Sequence, residues 1–482
     1  MSGKLLGQSF HQIGSTPKVR RVWLRGRNLE VANFRVGRFY QVCYQEQKDA
    51  IILRVVTEQE GERCRKVAYK TEHSRQIPVI DIMNKEFTDF VGDCSKVLVS
   101  FYEDRVVIKL HGDEVARAAR LRRLAQIRNG QRALRIGSIC SGGGVMDHAI
   151  HAGLAEAGVE AKHVFMVEVE DSYAQSACFN SGLVDDGTVL FTAPMEMVDL
   201  KDVPPCDLLI AGLPCTGASY QGRSKNGLRY AEEHKSAGAL VFAFLNYIKE
   251  LSPIDIVLEN VPPYQDTASM SIIRSTLTTW GYDLDIAEVA GGQFGAFEDR
   301  KRMVLWARTR QRNDGVSLAE MLKPHQRVGN MALVDLLEEE EKVQHRYRAY
   351  DYLKVKEKSD KAAGRRFMRQ ELDRNASKCG TIGRGYAKAR STEPFVRHPD
   401  DPNLIRLFTA GEHARVKQIP EEMIRGVCET TAHEILGQSV IYPAFKAVGE
   451  VLGSSILMRQ GAAATNVNVP PVENGAQMAF AL

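Results

Sequence analysis

The chain has 482 residues, 44% of them hydrophobic and 26% charged, with a formal net charge of +4. That length supports two or three domains with ordinary globular cores, and the small net charge excludes a global cationic field, so any nucleic-acid surface must come from local clustering. Nine cysteines are scattered with no CxxC pair, which excludes a zinc ribbon or disulfide framework and points to a reducing compartment; no metal is expected. With no apolar run of membrane length and no signal-peptide core in the first residues, a cytoplasmic protein without membrane contact is expected.

Residues 1 to about 17 read as loose. From Val19 to Leu110 the chain reads as short strands: Val22–Leu24, Phe39–Tyr44, Ile51–Val56, Val79–Ile82, Val97–Tyr102 and Val106–Leu110. Alternation of apolar and polar residues is clearest in the last two. The region looks duplicated, each half reading strand, short helix, glycine, strand, turn, strand. Its first half, with Arg25-Gly-Arg27, resembles the SymE/AbrB-like swapped-hairpin modules, many of which bind DNA. Lys18, Arg20, Arg21, Arg25, Arg27, Arg35 and Arg38 fit a phosphate-contacting face, and equally a solvated charged one. Residues 1–112 are thus expected to form a β-rich amino-terminal module. Residues 113–131 are expected to form a basic linker helix with a narrow stripe of Leu121, Leu124 and Ile127, docked on the next domain.

The catalytic region is expected over 132–310. Leu134–Ile139 reads as a strand, followed by a glycine-rich turn, Ser141 to Gly144, whose N–H groups suit a nucleotide-like ligand. The next strand, His163–Val169, carries Glu168-Val-Glu170, an acid placed to grip ribose hydroxyls. Leu208–Ile210 is a third buried run and leads to Gly212 and Pro214-Cys215. A thiol there stands at the carboxyl end of a central strand, where open α/β sheets keep their ligands; taken singly it is equally one more apolar thiol. Ile254–Leu258 delivers Glu259-Asn260-Val261, and Arg300-Lys-Arg302 precedes Met303–Trp306.

In this order, across Leu134 to Gly453, these motifs resemble those of the DNA (cytosine-5)-methyltransferases. The resemblance implies an α/β, Rossmann-like S-adenosylmethionine-dependent methyltransferase domain with a small target-recognition domain at 311–400. It implies carboxyl-terminal motifs at 401–458 that return to the catalytic domain; a disordered tail is expected at 459–482. It implies S-adenosylmethionine held by Cys140, Ser141, Gly142, Gly144, Glu168, Val169, Pro214, Gln438, Ser439 and Val440. The catalytic set is Cys215, Glu259, Arg300 and Arg302. The glycine-rich basic loop after Cys215 would close on duplex DNA through Ser219, Arg223, Lys225 and Arg229, joined by Arg384 from Thr381–Arg390. The expected reaction is methyl transfer to C5 of cytosine in a specific duplex sequence, by Cys215 attack at C6 with base flipping. The expected source is bacterial or phage-encoded and the expected state a monomer, with a cognate restriction endonuclease as a candidate partner.

Several positions depart from the family pattern. Ser138-Ile-Cys140 replaces Asp-Leu-Phe, so the aromatic that packs on the cofactor is missing. Pro194 stands where an Asp meets the adenine amino group. Glu298 replaces the Gln of Gln-x-Arg-x-Arg, and Gln438 replaces an Asn. Three alternatives stay open at this point: a tRNA cytosine-5 methyltransferase, a catalytically weak DNA-binding regulator of the same fold, and a nucleotide-level pyrimidine enzyme with a Pro-Cys nucleophile.

Overall fold

The computed structural model describes residues 3–15, 19–45, 50–57, 64–214, 239–310, 317–364 and 369–458. The chain divides into two compact units, one up to Ala119 and one from Arg120, and the helix Gly112–Arg128 carries the division.

The first unit is β-rich and its halves are related by an internal two-fold. Arg20–Arg25 pairs antiparallel with Arg75–Ile82, and Ala50–Val56 pairs antiparallel with Arg105–Leu110. Each pairing joins equivalent strands of the two halves, with Trp23 opposite Asp81 in one and Ile52 opposite Val107 in the other. The duplication expected from the sequence is therefore present in the strand register. The alternation also holds, because Val97, Val99, Phe101, Val106 and Ile108 are all buried in one core. The expectation of a loose start fails. Leu5–Gln12 is an edge strand on Lys96–Tyr102; most of its side chains stay exposed, so the backbone ladder that holds it leaves no apolar period to read. Part of the expected phosphate face is structural. Arg20 donates to the Gly92 and Cys94 carbonyls, Arg21 pairs with Asp81 at 2.8 Å, and Arg25 pairs with Glu72 at 2.7 Å; Lys18 lies outside the described residues.

The second unit is built on a seven-stranded sheet, whose strands we number β1 (Leu134–Ile139), β2 (Ala161–Val167), β3 (Val189–Phe191), β4 (Leu208–Gly212), β5 (Asp255–Asn260), β6 (Tyr282–Ala290) and β7 (Lys301–Thr309). The order is 3-2-1-4-5-7-6. The first five strands are parallel, and β7 is antiparallel to both neighbours. The order reverses beside β1, which places a ligand crevice at the carboxyl ends of β1 and β4. Leu240–Leu251 and Ala268–Thr279 cover one face. Val145–Glu156 and Tyr442–Leu457 cover the other. Those last two helices cross in backbone contact: a Cβ on Gly153 would lie 2.0 Å from the Lys446 carbonyl oxygen, and one on Gly449 would lie 2.2 Å from that of Ile150.

The second half of the helix Gly112–Arg128 belongs to this compact unit. Arg120 is buried; it donates to Thr309 Oγ1 and Ser252 Oγ, both at 3.1 Å, and to the Trp280 carbonyl at 2.8 Å. Buried Asp207 gathers Arg123 at 3.6 Å, Arg135 at 3.7 Å and Arg132. Beyond the large sheet, a small three-stranded sheet is formed by Gln370–Leu372, Pro394–Arg397 and Ile405–Arg406. Beneath it Arg406 pairs with Glu412 at 2.6 Å, both fully buried, and Thr409 with Glu412 forms a capping box on Ala410–Val416. Among the described residues no single helix is long and apolar enough to cross a membrane.

Candidate active site

A cavity of about 1230 Å³ opens along the carboxyl ends of β1, β2, β4 and β5. The amino end of β7 faces the same edge because β7 runs antiparallel to β5.

On one side of the cavity β1 ends in the glycine-rich turn. Gly144 is left-handed and caps Val145–Glu156, whose first residues line the cavity; a helix start of this kind offers N–H groups to an anionic or polar ligand. Glu168, just past β2, accepts from Gly142 N at 2.7 Å and from Glu170 N at 3.0 Å. Turn and acid are thus locked together at the cavity wall. Val169 beside it is an exposed apolar lining residue, and Gln438, Ser439 and Val440 line the wall from the carboxyl-terminal motif. Ser439 Oγ donates to the Leu436 carbonyl at 2.7 Å. An acid for hydroxyls, free N–H groups and an apolar flank are a donor set that fits a nucleoside with a charged tail, as S-adenosylmethionine requires.

Across the cavity, β4 leads to Leu213 and Pro214. Asn260, buried at the end of β5, donates to the Leu213 carbonyl at 3.1 Å and so fixes the chain just before Cys215. Glu259, one residue earlier, meets Arg302 Nε at 2.5 Å, with both side chains mostly buried. Pro214, Glu259 and Arg302 line the same cavity as Glu168.

Residues 134–454 match the family model of the C-5 cytosine-specific DNA methylases. The chain belongs to that family. It is a DNA (cytosine-5)-methyltransferase. Relatives include the type II methyltransferase M.SsoII of Shigella sonnei, 27% identical over 297 residues, covering 59% of this chain and 73% of that one. The type II methyltransferase M1.ScrFI of Lactococcus lactis subsp. cremoris is 26% identical over 299 residues, covering 60% and 71%. The fold is shared with the S. pombe Dnmt2 methyltransferase (TM-score 0.52, 20% identity, 68% of this chain and 98% of that one). It is likewise shared with the Entamoeba histolytica methyltransferase EhMeth (TM-score 0.53, 15% identity, 67% and 98%).

In this methylase Arg300 has a different task from Arg302. It is buried and donates to the carbonyls of Ile382 and Gly437, both at 3.1 Å, and of Gln438 at 3.3 Å. It ties the segments at Ile382 and Gly437–Gln438 to the seven-stranded sheet; the guanidinium that faces Glu259 is that of Arg302. Glu298 at the departed Gln position pairs with Lys417 at 2.6 Å, both fully buried, and accepts from Ile382 N at 2.9 Å. The substitution in the motif is thus answered by a lysine from another element.

The missing aromatic is replaced by sulfur. Cys140, itself left-handed at φ 54°, sets its Sγ 3.7 Å from Met195 Sδ. Burial, with Glu168 and Glu196 nearby, pushes its thiol up to about 12, so it is an inert wall residue. Pro194 caps the short turn Met195–Met197 and lines the cavity with Met195. Arg384, expected on DNA phosphate, lines the cavity, with Glu170 at 3.7 Å, Glu434 at 3.9 Å and the Tyr173 ring at 5.3 Å. Cys215, Ser219, Arg223, Lys225 and Arg229, and the tail from 459, lie outside the described residues. Sequence reasoning gave no role to Asn260, Met195, Tyr173 or Lys417. Of these Asn260 carried a signal, its place inside Glu-Asn-Val, and Lys417 lies within the carboxyl-terminal motifs.

Proposed function

We propose that this methylase takes a flipped cytosine from a short duplex sequence and methylates it at C5, with Cys215 as nucleophile, Glu259 facing N3 and Arg302 serving both Glu259 and the base. The observation that carries the reading is the Glu259–Arg302 pair at 2.5 Å, in one cavity with Pro214 and the Glu168-bearing turn. S-adenosylmethionine, when bound against Glu168 and the turn, supplies the electrophilic methyl group.

Cytosine C5 is too weak a nucleophile on its own. The Cys215 thiolate adds at C6 and forms a C–S bond. The C5=C6 electron pair moves toward C4, and the C4=N3 pair moves onto N3, which takes up a proton. Glu259 provides that proton or holds it. Arg302 is placed to exchange Glu259 for the base O2 on entry, which frees the carboxyl for N3. C5, now enamine-like, would take the methyl group as that group's bond to the cofactor sulfur breaks with its electron pair left on sulfur; C5 then loses its proton to a general base as the C–S bond to Cys215 breaks, and N3 returns its proton to Glu259. A free thiol near neutrality is only a few per cent ionised, so the surroundings of Cys215 must favour the thiolate. Flipping costs a few kcal/mol of unstacking, which the basic loop with Arg223, Lys225 and Arg229 supplies through phosphate contacts.

A duplex carrying 5-fluorocytosine tests the covalent step, since fluorine cannot leave C5 as a proton does. With S-adenosylmethionine present, the full-length protein is expected to form an adduct that survives SDS and maps to Cys215. Adduct formation by Cys215→Ala, or at another cysteine, would overturn the assignment.

A further inference from the structure

We infer that Arg384 is a cofactor-positioning residue, the cation that answers the α-carboxylate of S-adenosylmethionine, and that through it the recognition region takes part in holding the cofactor. The inference rests on the cofactor reading above and adds a residue to it.

The argument begins with charge. The described residues that line the cavity include Glu168, Glu170, Glu196, Glu259 and Asp266. S-adenosylmethionine carries two cationic centres, its sulfonium and its ammonium, and one carboxylate. An acidic cavity favours the first two and repels the third unless a cation stands by. Three arginines are among the described lining residues. Arg300 is occupied with the carbonyls of Ile382, Gly437 and Gln438, and Arg302 with Glu259. Arg384 differs. Among the described residues its ion-pair carboxylates, Glu170 and Glu434, stand at 3.7 and 3.9 Å, beyond hydrogen-bond length. Glu434 already accepts from the Tyr173 hydroxyl at 2.8 Å. The guanidinium therefore has donors to offer, and its rim position leaves it half exposed.

The second part of the argument is rigidity. Arg384 does not hang from a free loop. Arg300 Nη1 binds the carbonyls of Ile382 and Gly437 together. Glu298 takes Ile382 N at 2.9 Å. A Cβ on Gly437 would lie 2.3 Å from the Gly383 carbonyl oxygen, so the segment before Arg384 is pressed onto the turn that bears Gln438. Gln438 in turn reaches the glycine-rich turn, its Nε2 lying 3.5 Å from where a Gly142 Cβ would be. One connected set of backbone contacts thus fixes Arg384 relative to the cofactor turn. A planar fork suits a carboxylate better than a lysine does.

The test is calorimetric binding to full-length wild type, Arg384→Ala and Arg384→Lys. The ligands are S-adenosylhomocysteine and its analogue with hydrogen in place of the α-carboxylate. Wild type is expected to prefer the carboxylated ligand by about tenfold or more. Arg384→Ala should lose that preference while its affinity for the decarboxylated analogue stays unchanged, and Arg384→Lys should recover part of it. Equal weakening of both ligands would mean a packing role and overturn the proposal. So would unchanged binding of both, accompanied by weaker DNA affinity with a shallower salt dependence, which would return Arg384 to a phosphate contact. Failure of wild type to bind either ligand would instead overturn the cofactor reading itself, and this inference with it.

Discussion

Two side chains carry the chemistry proposed for the base. Glu259 and Arg302 hold each other at 2.5 Å, so each variant exposes the partner's role. Glu259→Gln keeps the shape and loses the acid; kcat/KM for methyl transfer is expected to fall by about 10² or more, the scale of a lost general acid, with S-adenosylhomocysteine affinity unchanged. Asn260 acts one step back. Its bond to the Leu213 carbonyl fixes the chain before the nucleophile, so Asn260→Ala should lower kcat about tenfold or more through misplacement of Cys215. Its cofactor affinity should be unchanged and its stability lower by about 1–2 kcal/mol; loss of cofactor binding instead would show a wider structural role. Glu259 and Arg302 were legible in the sequence because each ends or opens an apolar run. Asn260 was not, since nothing in a linear motif tells which neighbouring loop a buried amide reaches.

Between elements, the large sheet is coupled to the segments around Ile382 and Lys417 through buried polar pairs. Glu298 stands at the motif position where the family has Gln, and the charge it brings is met by Lys417, whose ammonium burial drives down to about 7. Glu298→Gln would leave that lysine without its counter-charge, at a cost of about 3 kcal/mol or more in denaturant unfolding, and Lys417→Met in the same chain should restore most of it. A double variant as unstable as the single one would contradict the pairing. Nearby, His413 Nδ1 and His433 Nδ1 meet at 3.0 Å in the core. One ring must donate and the other accept, so the contact cannot survive protonation of both. Burial lowers His433 to about 4 and His413 well below its usual value. Between about pH 6.5 and 4 the unfolded chain takes up protons that the folded one refuses, so stability is full above that window and falls as pH drops through it. His433 alone accounts for about 3 kcal/mol. His433→Gln should flatten the slope of unfolding free energy against pH between 7 and 4.5; an unchanged slope would place the acid sensitivity elsewhere. None of this was readable beforehand. The buried ion pair of Arg406 with Glu412 and the capping box beside it depend on a chain reversal that no periodicity announces. The parallel strands were legible because burial on both faces gives continuous apolar runs. The edge strand Leu5–Gln12 was missed because backbone pairing alone holds it.

For the molecule as a whole, the sequence placed the catalytic domain's start near Arg132, while the compact unit begins at Arg120. Arg120 reaches Thr309 at the end of β7 and Ser252 ahead of β5, and Arg123 reaches the buried Asp207. A chain begun at Gly112 should therefore keep the stability of the catalytic unit, and one begun at Arg132 should lose on the order of 3 kcal/mol or more, read as a lower urea midpoint. Equal midpoints would show the helix to be dispensable. Above these stands the claim that one cavity, walled by the Glu168 turn, Pro214 and the Glu259–Arg302 pair, methylates cytosine through Cys215. It is tested most directly by methyl transfer from labelled S-adenosylmethionine to duplex DNA, with Cys215→Ala alongside and bisulfite sequencing of the product. The account predicts label on cytosine in one short sequence context, absent from the variant. Label retained by Cys215→Ala, or label on RNA and none on DNA from a folded, cofactor-binding protein, would contradict it.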